Sequence, residues 1–88
     1  MKQYYYFYKI TNMINNHYYY GIHSTNNLDD GYMGSGIALH KAFKKYGIEN
    51  FEKKILKFYN SQEELNIVEA RLVNERWLEK NKDRCYNL

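Results

Sequence analysis

The chain has 88 residues, 13 Lys+Arg against 10 Asp+Glu, no proline, one cysteine and 11 tyrosines. That length supports one domain over residues 1–88 with one modest core, and the single Cys85 excludes an internal disulfide. His17, His23, His40 and Cys85 lack metal-ligand spacing, which argues against a structural zinc, and no apolar run approaches the roughly 18 residues that span a bilayer. The expectation is a cytoplasmic protein without a membrane segment, held together by packing, whose net charge of +3 hints only weakly at an anionic partner.

From Tyr4 to Thr11 aromatic and β-branched residues dominate, which predicts a strand. The Asn12–Asn16 segment carries turn chemistry, and a second aromatic run from His17 to His23 completes an antiparallel hairpin. Alternation along that second strand puts Tyr19, Gly21 and His23 on one face and Tyr18, Tyr20 and Ile22 on the other. Gly21 should therefore leave an open notch between a phenol and an imidazole.

Ser24 to Gly36 is rich in Ser, Thr, Asn, Asp and Gly, and at about thirteen residues it has the length of a functional loop. Leu39, Ala42, Phe43 and Tyr46 then form a helical stripe stopped by Gly47, with His40, Lys41, Lys44 and Lys45 on the other side. Phe51 to Tyr59 reads as an amphipathic third strand, with Phe51, Lys53, Ile55, Lys57 and Tyr59 on one side. Ser61 and Glu64 make a capping box that opens a last helix running to about Lys80, and Leu65, Val68, Leu72 and Val73 define its buried arc. The fold class is α+β: a small three-stranded antiparallel sheet, the hairpin plus a third strand, flanked by helices in β-β-α-β-α order.

Glu69 falls inside the expected buried arc, where a carboxylate needs a cation or several donors. Three readings stand: a salt bridge to Arg71 or Arg76, a position at the edge of the stripe that reaches water, or a ligand for Mg²⁺, which is commonly held by a lone carboxylate with waters and phosphates. The lysines at 41, 44 and 45, with Lys53, Lys54 and Lys57, offer phosphate contacts or simply a solvated face. His23, beside Gly21, reads most simply as a polar strand residue, with a general acid or a phosphate donor as the functional alternatives. Solvent exposure explains His17 and His40 more simply, and Cys85 has no histidine at catalytic spacing.

Tyr6-Phe7-Tyr8-Lys9-Ile10-Thr11-Asn12, the turn, and Tyr19-Tyr20-Gly21 resemble the paired strand motifs of the GIY-YIG nuclease family, especially its phage-type homing endonuclease branch. Lys44-Lys45-Tyr46-Gly47, Glu49-Asn50-Phe51, Glu69 and Tyr86-Asn87 continue the resemblance in order through nearly the whole chain. It implies an endonuclease that hydrolyses a DNA phosphodiester with one Mg²⁺ or Mn²⁺ on Glu69. In this reading Tyr8 takes a proton from, or orients, the attacking water, Tyr19 hydrogen-bonds the water or a phosphate oxygen, and Asn87 positions substrate. Two departures stand out. Tyr6 replaces the first glycine, and Asn26–Tyr32 holds no arginine where the family usually keeps a catalytic one. His23 is the candidate to replace that group, with Lys41, Lys44 and Lys45 as competitors. The missing arginine also admits a nuclease-fold module that binds nucleic acid or protein without cleaving. Site choice by so small a fold calls for a homodimer or an additional DNA-binding segment.

Overall fold

The aromatic density of the first 25 residues produces the expected hairpin in the computed structural model, which describes residues 3–72 and 84–87. Strands β1 (Tyr4–Asn12) and β2 (Tyr18–Thr25) pair antiparallel from Tyr4↔Thr25 to Thr11↔Tyr18. The turn closes as its asparagines suggest. Asn16 takes a left-handed φ of 63°, and its N–H donates to the Asn12 carbonyl at 2.8 Å. The third strand, β3 (Phe51–Tyr59), adds to the other side of β1, giving the order β2-β1-β3. Helix α1 (Ile37–Tyr46) lies between β2 and β3 in sequence, a short 3-10 turn follows at Ile48–Asn50, and α2 (Gln62–Leu72) comes last among the described elements. The observed order is therefore β-β-α-β-α, an α+β fold.

Alternation gathers Tyr6, Tyr8 and Ile10 on one face of the central strand, each fully buried. Leu39, Ala42 and Phe43 of α1 pack against them with Tyr19 and Phe51, so α1 lies on that face. Complete burial of an aliphatic residue such as Leu39 stabilises by roughly 1.5–3 kcal/mol, which makes this seam the anchor of α1. Gly47 ends the helix where expected: at φ 88° its N–H returns to the Phe43 carbonyl at 2.9 Å. On the opposite face Phe7 stacks on Tyr20 with ring centroids 5.6 Å apart, and α2 contacts both β1 and β2.

Two details differ from the alternation read off the sequence. The pairing of β1 with β3 shifts between Phe7↔Lys57 and Tyr8↔Ile55, so Leu56 is an extra residue in β3. Phe51, Lys53 and Ile55 keep the Tyr8 face as expected, but beyond the bulge it is Phe58 that stands opposite Tyr6, and Lys57 and Tyr59 move to the other face. The second difference concerns α2. Its cap forms as expected, the Glu64 N–H donating to Ser61 Oγ at 3.3 Å, and Leu65 is fully buried. Glu69 lies outside the buried arc and is exposed, the edge position that reaches water among the readings of the sequence. Leu65 and Val68 define a narrow seam, and at 100° per residue Glu69 lies about 70° from its centre, enough for a long carboxylate to reach water. The expected extension of this helix to Lys80, with Val73 and Arg76, lies outside the described residues.

The segment 84–87 returns to the outer edge of β2. Cys85 forms a parallel bridge with Tyr18, whose N–H donates to the Arg84 carbonyl and whose carbonyl accepts from Tyr86 N–H, both at 2.8 Å. No helix among the described residues is long and apolar enough to cross a membrane.

Candidate active site

The site forms where β1, β2 and the loop from Asn26 to Gly36 meet. Tyr8 and Gly21 are direct partners across the hairpin, and the Tyr8 hydroxyl occupies the space that a Cβ on Gly21 would fill. The notch expected at Gly21 thus exists as a missing side chain, but it is filled by the phenol. Gly34, at φ 88°, brings the loop backbone over the same hydroxyl, where an added Cβ would stand 3.3 Å from it. Tyr19 lies beside Tyr8 at 6.2 Å between ring centroids, and its ring covers Gly36.

The Tyr8 hydroxyl is completely buried and has no hydrogen-bond partner among the described groups. Burial drives its pKa strongly upward, and the neighbouring Tyr32 and Tyr19 phenols add to that. Tyr6 is pushed up to about 12, first by burial and then by the negative charge of Asp30. Both phenols are therefore neutral at physiological pH.

The other end of the site is built from polar contacts. His23 Nε2 and Asp30 Oδ2 are 2.8 Å apart, and the His23 ring stacks on Tyr32 with centroids at 3.7 Å and planes within 4°. Asp30 also accepts the Tyr32 N–H at 3.0 Å through its second oxygen. The hydrogen bond to His23, followed by that backbone bond, holds the Asp30 carboxyl well below the usual carboxylate range. Lys53 enters from β3: its Nζ donates to the Tyr6 hydroxyl at 2.5 Å and to the Tyr32 carbonyl at 2.8 Å. Burial lowers the Lys53 pKa, and Asp30 opposes that shift.

A family model described as "Putative endonuclease segE, GIY-YIG domain" matches residues 28–87, about two thirds of the chain. The chain belongs to the GIY-YIG family. Among curated relatives it is 54% identical over 85 residues to the putative endonuclease segB of Enterobacteria phage T4, covering 97% of this chain and 38% of that protein. It is 48% identical over 86 residues to the putative endonuclease segC of the same phage, covering 98% and 42%. The endonuclease segA of phage T4 is 53% identical over 72 residues, 82% of this chain and 33% of its own. The chain thus spans about two fifths or less of the length of these relatives. No solved structure matches.

Within this GIY-YIG domain, the expected residues divide into a group that converges and a group that does not. Tyr8, Tyr19 and His23 share one face of the hairpin, as alternation required. Lys41 and Lys44 line a shallow cleft with Ser35, Gly36 and His40, next to the ring of Tyr19 through Gly36. Lys45 lies outside that lining, with its Nζ 5.2 Å from the centroid of the Tyr46 ring. Asn87 is held on β2: its Oδ1 accepts the Tyr20 N–H at 2.8 Å and its Nδ2 donates to the Tyr20 carbonyl at 2.5 Å. Its amide thereby fixes the residue next to Gly21.

Among the described residues Glu69 makes no hydrogen bond or ion pair with Tyr8, Tyr19 or His23, and no three His, Cys, Asp or Glu side chains converge as a metal cluster. An exposed carboxylate still has the hard oxygen chemistry suited to Mg²⁺, which needs only one or two protein carboxylates beside waters and phosphate oxygens. Asp30 and Tyr32 escaped the sequence reading as members of this site, legible only as loop chemistry in Asp29-Asp30-Gly31-Tyr32. Lys53 was legible as one of several lysines offering phosphate contacts, without its place beside the phenols.

Proposed function

We infer that this GIY-YIG domain is an endonuclease domain that hydrolyses a DNA phosphodiester. One observation carries the reading: an imidazole held by a carboxylate stands at the end of a row of phenols whose central hydroxyl is unspent on any described partner. Phosphodiester hydrolysis needs an acceptor for the proton of the attacking water and donors toward the phosphate oxygens. His23 supplies the acceptor. With Nε2–H donated to Asp30, the lone pair is on Nδ1, which takes the proton as water attacks phosphorus. Tyr8, whose hydroxyl is dry in the unbound fold, becomes a neutral donor toward the water or a phosphate oxygen only when substrate reaches it, since burial opposes its phenolate. Tyr19 donates beside it, Lys41 and Lys44 hold neighbouring phosphates, and Asn87 is a positioning residue through Tyr20.

Glu69 would hold one Mg²⁺ or Mn²⁺, which when bound supplies Lewis-acid neutralisation of phosphate charge. Recognition of a particular sequence falls to a second copy or a further DNA-binding segment, because base edges must be read by elements that enter a groove.

The test is nicking of supercoiled plasmid with Mg²⁺ or Mn²⁺ by wild type and Glu69→Ala. Wild type is expected to nick, and Glu69→Ala to lose roughly a hundredfold or more of the rate, as loss of a charge-stabilising group does. Equal rates would remove Glu69 from the mechanism. The absence of arginine from Asn26–Tyr32 favours a second reading, binding without cleavage. That reading requires salt-sensitive DNA affinity and no nicking with either ion.

A further inference from the structure

Lys53 is the cation most deeply involved in the site, yet among the described residues no carboxylate lies within ion-pair distance of it. Its Nζ lies 4.8 Å from the Tyr6 ring centroid, 5.4 Å from Tyr8 and 5.5 Å from Tyr32. Its two hydrogen bonds go to neutral oxygens, the Tyr6 hydroxyl and the Tyr32 carbonyl. An ammonium carries three N–H donors, so one is left over. The nearby carboxylate, Asp30, is paired with His23 instead. The half-buried ammonium is contacted directly by phenol faces and neutral acceptors, with the Asp30 charge acting on it only from a distance, so its remaining N–H is open to an anion in surroundings where water screens charge poorly. Such a group attracts an anion, and the anion that an endonuclease site receives is a phosphate.

We propose that Lys53 is the residue that binds the scissile phosphate of DNA, supplying from β3 the fixed positive charge that the loop Asn26–Tyr32 lacks. The proposal rests on the endonuclease reading for the identity of the phosphate, but phosphate binding itself is separable from cleavage. Position supports the role. Lys53 faces the same side of the sheet as Tyr8 and Tyr19, being paired with Ile10, which is itself paired with Tyr19. The bond to the Tyr32 carbonyl also ties the loop to the sheet, so the charge and the His23–Tyr32 stack are set by one contact network. Lys41 and Lys44, in contrast, are exposed at the cleft on α1 and can follow flanking phosphates without approaching the phenols.

The experiment compares wild type, Lys53→Arg, Lys53→Met and Lys53→Gln in two assays. Binding to a short mixed-sequence DNA duplex is measured in chelator over a range of salt, and plasmid nicking is measured with Mg²⁺ or Mn²⁺. Removing one phosphate contact should reduce the slope of log affinity against log salt by about 0.9 in Lys53→Met and Lys53→Gln, while Lys53→Arg retains it. Nicking should fall roughly a hundredfold in the two neutral variants and recover to within about tenfold in Lys53→Arg, as expected for a charge that acts on the phosphate. Lys53→Gln keeps an amide donor for Tyr6 or Tyr32, so it tests the charge even if Lys53→Met does not fold. A neutral variant with the wild-type salt slope overturns the proposal, whether or not wild type nicks DNA. A reduced slope with no nicking by wild type supports Lys53 while removing the endonuclease reading. Equal loss of nicking in Lys53→Arg and Lys53→Met, with unchanged salt slopes, assigns the residue to loop packing and also overturns it.

Discussion

The two ends of the site are built by opposite means. Around Tyr8 the polar atom is dry and unpartnered, and its place is fixed by shape: Gly21 and Gly34 leave the space, and Tyr6 and Tyr19 close the sides. Around His23 every key contact is polar or stacked and within reach of water: Asp30 on the imidazole, Tyr32 beneath it, and Lys53 on the Tyr32 carbonyl. Packing is suited to holding a group that must not titrate, because burial penalises its charged form. A carboxylate–imidazole pair is suited to a group that must change protonation state in each turnover. In the proposed mechanism the contrast divides hydrogen-bond donation from proton transfer along the hairpin.

The largest test of that division is His23→Ala. Cleavage should fall by about 10²–10⁴, the range for loss of a general base, while the hairpin remains folded; single-turnover nicking together with circular dichroism measures both. A rate within a fewfold of wild type would return proton transfer to the phenols.

A smaller effect is expected from Gly21→Ala. Its methyl group would enter the space of the Tyr8 hydroxyl, and overpacking of this kind costs about 1–3 kcal/mol, readable by urea denaturation. Cleavage should fall with it, because the phenol must leave its position to make room. Unchanged stability would mean that Tyr8 moves freely and that the dry end is not fixed by shape.

The smallest stability effect, and the sharpest contrast, comes from Tyr8→Phe. Removing a buried hydroxyl with no described partner should leave stability at pH 7 unchanged or raise it by up to about 1 kcal/mol, although the donor is lost to the chemistry. The pH dependence has a definite sign. A phenol whose folded-state pKa is raised contributes stability that is fully present below its unfolded value near 10, and that contribution is lost as pH rises toward the folded value. Denaturation at pH 7 and about 10.5 should therefore show wild type losing more stability than Tyr8→Phe. Tyr6, pushed up to about 12, contributes loss in the same alkaline window in both proteins.

Local pattern made much of this architecture readable. Alternation placed Tyr19, Gly21 and His23 together, the 3–4 spacing of Leu39, Ala42 and Phe43 found the buried side of α1, and Ser61 with Glu64 marked the start of α2. Alternation failed in β3 because one extra residue, Leu56, reverses the face of everything after it. On α2 the expected arc holds at Leu65, which is fully buried, but Glu69 falls outside it and reaches solvent; the Leu72 side chain and Val73 lie outside the described residues. Asp30, Tyr32 and Lys53 were hidden for a different reason. Their contacts join a loop to strands distant in sequence, and no periodicity encodes where an irregular backbone folds back.

The return of residues 84–87 to β2 has a consequence for solubility. The outward N–H and C=O groups of Tyr18 are taken by Arg84 and Tyr86, and those of Tyr20 by the side-chain amide of Asn87. The half of this sheet margin next to the hairpin turn, four outward groups at Tyr18 and Tyr20, is thereby occupied from within. The opposite margin, β3, carries Glu52, Lys53, Lys54 and Lys57, and charges of that density discourage a foreign strand from adding there. The small sheet thus guards its two borders against aggregation differently, one by filling its hydrogen bonds and the other by repulsion.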